Sequence, residues 1–236
     1  MPSKECLIDE PSTPWSEVTR PDRIGRGFYQ KSLSDGREGR PYAVIGWQPQ
    51  GFLNPAHFHT EPQFQVLLEG TVIFPKKPLT AVSVHYSDKS MPYGPFTVGE
   101  GMRLAVIRNR EAKQYYMSDA EGRKLANGRG REFYGEGERA PWAPVEGMPG
   151  VKRKRLFGEG NNQPQAEILE YPAGHVIRRG PAQCGRFEIV LKGSAAYGDK
   201  VVKPYAMIYE LGEGWVSVLK VGGEGVTVLN LTFDLP

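Results

Sequence analysis

The sequence is poor in the residues and runs from which several common protein classes are built. Its two cysteines, Cys6 and Cys184, lie far apart without a C-x-x-C pair, so they indicate neither a disulfide framework nor a zinc ribbon. No apolar run approaches the roughly 18 residues of a membrane span, and the first residues lack the apolar core of a signal peptide. These features predict a cytoplasmic protein without a membrane partner.

An excess of charge of one sign is also lacking. Lys and Arg number 30 against 27 Asp and Glu, a net charge of +3, and the two signs are interspersed. We therefore expect no nucleic-acid partner. Phosphate-binding loops, G-x-S-x-G elbows and dinucleotide fingerprints are not recognisable, which leaves the common nucleotide-binding and serine-hydrolase classes without support.

Long segments free of glycine and proline are scarce. The chain has 29 Gly and 20 Pro, and among windows longer than about twelve residues only Leu79–Met91 and Met102–Glu121 lack both. A helical bundle has almost nowhere to form. The first window alternates, with Val82, Val84 and Tyr86 on one face, which is typical of a strand. We therefore predict an all-β chain of short strands.

The spacing of similar segments reveals an internal repeat. Phe64–Thr71 matches Phe187–Ser194 at every position by size or polarity, 123 residues later. Gly51 and Gly174 keep the same offset, and Val98–Met102 returns as Gly222–Val226 with an offset of 124. Three matches in nearly one register predict two copies of one β unit.

This repeat divides the chain into four predicted segments. Residues 41–118 and 151–236 are the two β units, and residues 1–40 are an N-terminal arm. Residues 119–150 are rich in charge, glycine and proline, so we interpret them as a connector laid over the surface.

Two of the four histidines, His57 and His59, are spaced i, i+2 around Phe58. On a strand this spacing sends both imidazoles to one face and Phe58 to the other. Two neutral imidazoles that converge on one point suit a divalent transition metal. The same spacing also fits a pair of exposed or core histidines.

The surroundings of this pair resemble a known family. Gly51-x5-His57-x-His59-x3-Gln63-x6-Gly70 has the spacing of the first cupin motif, in which a glutamate stands at the position of Gln63. The second half repeats the spacing from Gly174 to Gly193. The whole chain resembles a bicupin, which implies two tandem cupin barrels, each a double-stranded β-helix or jelly roll.

The resemblance implies a divalent transition metal, Fe(II), Mn(II), Ni(II) or Zn(II), held by His57 and His59. Gln63 and His85 are further candidate ligands. Gln63 offers only an amide oxygen, which is a weaker ligand than a carboxylate, or it holds a substrate or the backbone instead. The second cupin motif keeps Pro92 and Gly94 but has Thr97 in place of its histidine. His85 completes a three-histidine site if its face points into the barrel; otherwise it is an ordinary strand histidine.

The second half lacks these ligands. Gly180, Ala182 and Arg186 stand at the positions of His57, His59 and Gln63, so we expect no metal there. Period-two alternation places Arg186 and Glu188 on one face. They either form a charge pair across the former site or lie on a solvent-facing side.

The resemblance implies a metal-dependent protein that acts on a small organic molecule, with dioxygenase-type cleavage as the leading reaction. Isomerase and lyase chemistry stay open, and a non-enzymatic binding or sensing bicupin is the alternative. Catalytic residues other than the metal ligands are not identifiable. The strands Phe64–Glu69 and Phe187–Lys192 are apolar on both faces, which favours a homodimer.

Overall fold

The structure is a computed structural model that describes residues 4–8, 13–17, 29–38, 40–74, 78–160, 162–180, 182–212 and 217–234. The chain forms two compact units. One is Thr13–Glu138, and the other combines Met1–Ser12 with Arg139–Pro236. We call them the first unit and the second unit. Almost every described element is a strand, which confirms the all-β prediction.

The first strand of the chain, β1 (Lys4–Ile8), belongs to the second unit. The elements of the first unit follow in chain order: β2 (Ser16–Glu17), β3 (Tyr29–Asp35), β4 (Tyr42–Gln48), β5 (Leu53–Asn54), β6 (His57–His59), β7 (Gln63–Glu69), β8 (Thr71–Ile73), β9 (Pro78–Thr80), β10 (Ser83–Ser87), β11 (Phe96–Val98), β12 (Met102–Arg108), β13 (Gln114–Tyr116), α1 (Ala120–Leu125) and β14 (Glu132–Glu136). Those of the second unit are β15 (Ala143–Pro144), β16 (Lys152–Phe157), β17 (Gln165–Tyr171), β18 (Val176–Arg179), β19 (Ala182–Tyr197), β20 (Lys200–Val202), β21 (Met207–Gly212) and β22 (Ser217–Thr232).

The first unit is built around β7, which pairs antiparallel with β10 on one side and β12 on the other. These strands belong to a seven-stranded sheet in the order β14-β10-β7-β12-β4-β3-β2, and a four-stranded sheet has the order β5-β11-β8-β9. Nearly all residues of β7 are buried, so both faces of this strand pack against other parts of the chain. Alternation along β7 turns Gln63, Gln65 and Leu67 to one face and Phe64, Val66 and Leu68 to the other.

The second unit repeats this arrangement. Its central strand β19 pairs with β21 and β22 as β7 pairs with β10 and β12. The matched glycines also repeat: Gly70 and Gly193 both have positive φ, and a Cβ on either would lie within 2.1 Å of the carbonyl oxygen of Gly101 or Gly225. Only glycine tolerates such an approach, which explains why these positions recur in the sequence.

In the structure, parts of the predicted N-terminal arm and of the predicted connector belong to the sheets of the two units. Lys4–Ile8 pairs with Met207–Leu211 of the second unit, whereas Tyr29–Asp35 pairs with β4 of the first unit. Within the predicted connector, Glu132–Glu136 forms β14, which pairs with β10 along its whole length. The pairing holds this segment in the sheet despite its polar composition. No helix in the described ranges is long and apolar enough to cross a membrane.

Candidate anion-binding cavity in the first unit

A cavity of about 80 Å³ lies inside the first unit, lined by side chains of the large sheet and of β5, β6, β11 and β13. At roughly 10–15 Å³ for each water, this volume admits a molecule of a few non-hydrogen atoms. The lining contains five amide side chains, those of Gln30, Gln48, Asn54, Gln65 and Gln114. It also contains His57, His59 and Arg108, but no Asp or Glu among the residues described around it.

His57 and His59 both reach this cavity, as their spacing predicts. Both are buried, and their ring centroids lie 5.4 Å apart with an interplanar angle of 85°. Phe58 points the other way and stacks on Tyr115. Strand β6 is held in place by β13 and by a bridge between the backbones of His57 and Tyr93.

Arg108 supplies a buried positive charge to the cavity wall. It is 4% exposed, its Nη1 donates to His59 Nδ1 at 2.9 Å, and its guanidinium carbon lies 4.0 Å from the centroid of the Tyr42 ring. Burial lowers the pKa of Arg108, and Tyr42, Tyr93 and Glu61 oppose this shift. The Glu61 carboxylate forms an ion pair with Arg110 instead, at 2.8 Å. Arg108 is thus a buried cation without a described carboxylate in salt-bridge contact.

Two N–H groups of cavity-lining residues are buried without an acceptor among the described residues. They are the Nε of Arg108 and the Nε2 of Gln114. Buried donors left unpaired cost about 1–3 kcal/mol each, so such groups normally face a ligand or a water. Gln114 lies opposite His59 in the β6–β13 pairing, and Arg108 bonds to that same histidine. The two donors without acceptors therefore belong to residues that both neighbour His59.

Tyr93 stands between the histidine pair and β7. Its hydroxyl lies 2.7 Å from His57 Nε2 and accepts from the side-chain amides of Gln63 and Gln65 at 2.6 and 3.0 Å. The backbones of Tyr93 and His57 exchange two hydrogen bonds, of 3.0 and 3.1 Å, which fix the ring beside the imidazole. The predicted ligands His57 and Gln63 therefore meet at a hydroxyl group.

His85 lies on the other side of Tyr93, with ring centroids 5.1 Å apart. Its Nδ1 is 2.7 Å from Gln65 Oε1, and its Nε2 is 3.0 Å from Glu132 Oε1. Burial lowers the pKa of His85, and the hydrogen bond with Glu132 opposes that shift. The side chain points into the unit, but both ring nitrogens are engaged by protein atoms, away from the His57–His59 pair.

The strand that carries Glu132 is held by an ion pair at its beginning. Arg131 donates to Asp88 from its backbone N–H and its guanidinium, at 2.9 and 3.0 Å. Glu132 also accepts from the Tyr134 hydroxyl at 2.6 Å, and the Tyr134 ring stacks on His85. Burial, aided by Glu132, raises the pKa of Tyr134. The predicted connector thus contributes two side chains to the interior network.

The four predicted metal ligands do not fit a divalent ion as they are arranged. A nitrogen ligand needs a free lone pair, but His57 Nε2 faces the Tyr93 hydroxyl and His59 Nδ1 faces a guanidinium. The described residues contain no group of three or more His, Cys, Asp or Glu side chains placed to hold a metal. Gln63 Oε1 is buried without a hydrogen-bond partner among the described residues, so this candidate ligand atom is available. Metal ligation by His57, His59, Gln63 and His85 stays a prediction that requires Tyr93 and Arg108 to move.

The hydrogen-bond partners predict opposite tautomers for the two neighbouring histidines. Pro55 O lies 2.7 Å from His57 Nδ1 and can only accept, so neutral His57 carries its proton on Nδ1. Arg108 can only donate, so neutral His59 carries its proton on Nε2. Long-range ¹H–¹⁵N NMR of the protein, with His57→Gln and His59→Gln variants for assignment, is expected to show one ring of each tautomer. Two rings with the same tautomer would contradict these hydrogen bonds.

In the second unit Arg186 and Glu188 both form ion pairs, but the predicted pairing of these two residues with each other is wrong. Arg186 bonds to Glu210, with Nε to Oε2 at 3.0 Å, and Glu188 pairs with Arg179. The register of β19 on β21 explains the difference, because it sets Arg186 directly opposite Glu210. Cross-strand neighbours lie closer than residues two apart on one strand.

Sequence reasoning missed Arg108 as a cavity residue. A signal exists in β12, where alternation places Leu104, Val106 and Arg108 on one face, and all three line the cavity. Glu132 was also missed, since it lies in a segment with the composition of a surface loop. The sequence gives Tyr93 no role, because its hydroxyl contacts depend on the backbone bridge to His57.

No family model matches the sequence, and no curated protein matches it. Solved structures do match the fold. A putative dioxygenase from Nostoc punctiforme aligns with a TM-score of 0.76 and 13% identity, over 100% of this chain and 85% of its own. An oxalate decarboxylase from Lactobacillus farciminis, in complex with formate, aligns with a TM-score of 0.64 and 10% identity, over 97% of this chain and 86% of its own. An 11S globulin from Wrightia tinctoria aligns with a TM-score of 0.58 and 12% identity, over 94% of this chain and 83% of its own. These are cupin-fold proteins, and the likeness confirms two tandem cupin barrels in this chain.

Proposed function

We propose that the cavity of the first unit binds a small organic anion, of which a carboxylate is the simplest form. The observation that carries this proposal is Arg108, a buried cation that lines the cavity and has no carboxylate in salt-bridge contact among the described residues. A buried charge is costly unless it is paired, so the site favours a ligand that brings the opposite charge.

The rest of the lining supports the same class of ligand. The unpaired N–H groups of Arg108 and Gln114 can donate to carboxylate oxygens, and a guanidinium presents its donors in the geometry that a carboxylate accepts. The cavity volume limits the ligand to a few non-hydrogen atoms. One of the similar structures holds formate, which is a small carboxylate.

Titration calorimetry on metal-free protein tests this proposal. Formate, acetate, oxalate and malonate form the ligand panel, and formamide and acetamide are neutral controls of matched shape. We expect at least one carboxylate to bind with one site per chain and the matching amide to bind about tenfold or more weakly. Arg108→Met is expected to weaken carboxylate binding by about thirtyfold or more, the range for losing one partner of a buried charge pair.

Arg103 provides the matched control, because it lies on the same strand and pairs with Glu69 at the partly exposed side of the sheet. Arg103→Met removes the same charge from β12 and is expected to leave the dissociation constant unchanged. Amides that bind as well as carboxylates, or carboxylate binding that survives Arg108→Met, would show that the cavity is not an anion site.

A metal-dependent enzyme, with dioxygenase-type cleavage of a small organic molecule, is the second candidate. It is favoured by the adjacent imidazoles of His57 and His59 and by the fold shared with a putative dioxygenase and an oxalate decarboxylase. Its tests are the metal content of the protein as purified and oxygen uptake with β-diketones and dihydroxy-aromatics. Stoichiometric metal together with substrate-dependent oxygen uptake would make it the leading function.

We also propose the homodimer and the cytoplasmic location that the sequence predicts. The prediction of a dimer rests on the apolar residues on both faces of Phe64–Glu69 and Phe187–Lys192. Light scattering coupled to size-exclusion chromatography distinguishes a dimer from a 26.3 kDa monomer.

A further inference from the structure

The hydroxyl of Tyr93 lies where the inward-facing atoms of two predicted metal ligands converge. It is 2.7 Å from His57 Nε2 and 2.6 Å from Gln63 Nε2, and Gln65 Nε2 completes the group at 3.0 Å. Tyr93 is 3% exposed and belongs to a core cluster that includes Phe52 and Phe96. The hydroxyl is therefore held in the interior by the packing of its own ring.

These contacts use the full hydrogen-bonding capacity of the hydroxyl. A phenol donates one hydrogen bond and accepts two. Because His57 Nδ1 donates to Pro55 O, neutral His57 offers its Nε2 lone pair, and Tyr93 donates to it. The amides of Gln63 and Gln65 fill the two accepting positions. An ion bound to His57 Nε2 would have to displace this hydroxyl and break the three hydrogen bonds that it makes.

The charges nearby also oppose a divalent cation. Gln63 is neutral, whereas a carboxylate at this position would offset one metal charge. The lone pair of the neighbouring His59 accepts from the Arg108 guanidinium at 2.9 Å, so a cation on that nitrogen would replace a hydrogen bond and meet a positive charge. The Glu132 carboxylate bonds to His85 and Tyr134, and His85 lies beside Tyr93 with ring centroids 5.1 Å apart.

We infer that the Tyr93 hydroxyl occupies the position of a metal ion between His57 and Gln63 and keeps divalent ions out of the folded first unit. The site is thereby assigned to ligands that hydrogen-bond rather than to ligands that coordinate a metal. This inference does not depend on the anion site, since carboxylate binding is measured in metal-free protein.

Cobalt(II) titration followed by visible absorption tests the inference, because tetrahedral and five-coordinate Co(II) have characteristic d–d bands. The wild-type protein is expected to show no such bands and no His57-dependent uptake. Tyr93→Phe keeps the ring in the core and removes the hydroxyl, so we expect it to bind Co(II) about tenfold or more tightly than the wild type. Tyr93→Leu, which removes the whole aromatic ring together with the hydroxyl, serves as the second variant.

Two controls assign the bound ion. Tyr134→Phe removes a buried hydroxyl that bonds to Glu132 and should leave Co(II) uptake at the wild-type level. His57→Ala introduced into Tyr93→Phe and into Tyr93→Leu should abolish the gain. Stoichiometric, His57-dependent Co(II) in the wild-type protein would overturn the inference. Equal affinity in the wild type and both Tyr93 variants would overturn it too, because the hydroxyl would then not be the group that excludes the ion.

Discussion

Replacing Arg108 with methionine is expected to remove the affinity for small carboxylates without a large loss of stability in the ligand-free protein. Arg108 is 4% exposed, and no described carboxylate is in salt-bridge contact with it. Replacement of a buried ion pair by apolar side chains of similar volume is often neutral or stabilising by about 1–4 kcal/mol, and Arg108→Met leaves no described carboxylate without its partner. The variant loses the hydrogen bond from the charged guanidinium to His59, worth about 1.5–3 kcal/mol, so we expect its free energy of unfolding to stay within about 2 kcal/mol of the wild type.

Urea unfolding of the wild type, Arg108→Met and Arg103→Met measures this effect. Arg103→Met removes a partly exposed ion pair, so its free energy of unfolding is expected to be equal to or slightly below that of the wild type. A saturating carboxylate should raise the melting temperature of the wild type and of Arg103→Met but not of Arg108→Met. Strong destabilisation of Arg108→Met, with ligand protection intact, would mean that Arg108 is a structural residue.

Gly70→Ala and Gly193→Ala are expected to destabilise their own units severely, by about 3 kcal/mol or more. Both glycines have positive φ, and a Cβ would meet a backbone carbonyl oxygen at 1.9 Å for Gly70 and 2.1 Å for Gly193. The blocking atom is a backbone oxygen, of Gly101 just before β12 or of Gly225 within β22, and is not the end of a flexible side chain. Relief of the clash therefore requires the backbone to shift.

Gly51→Ala and Gly174→Ala are the matched controls. They have the same left-handed φ, but nothing lies within 4 Å of the added Cβ, so the cost is limited to backbone strain of about 1 kcal/mol. Thermal unfolding and limited proteolysis of all four variants would separate the two contributions. If Gly70→Ala and Gly193→Ala unfold no more easily than their controls, the two glycines do not make the same close approach.

Much of the fold could be predicted because the repeat depends on local features of the sequence. Gly51 and Gly174 have the same left-handed conformation, and Gly70 and Gly193 make the same close contact, so each pair recurs at the same spacing. The i, i+2 spacing of His57 and His59 was sufficient to place both rings at one cavity, because strand alternation depends only on neighbouring residues.

The composition of the site depends on contacts between distant segments, which spacing does not encode. Tyr93 meets His57 through a bridge between residues 36 apart, and Glu132 reaches His85 across 47 residues because β14 pairs with β10. Residues 132–136 have the polar composition of a connector, so composition alone placed them on the surface. Arg108 ends a largely apolar strand, and its role follows only once no described carboxylate is found in contact with it.

A crystal structure of the metal-free protein with the tightest-binding carboxylate of the panel tests the central claim most directly. We predict electron density for the carboxylate in the cavity of the first unit, with its oxygens within hydrogen-bond distance of the Arg108 guanidinium and of Gln114 Nε2. A carboxylate found only elsewhere, with the cavity holding waters and Arg108 turned toward an acidic side chain, would contradict it.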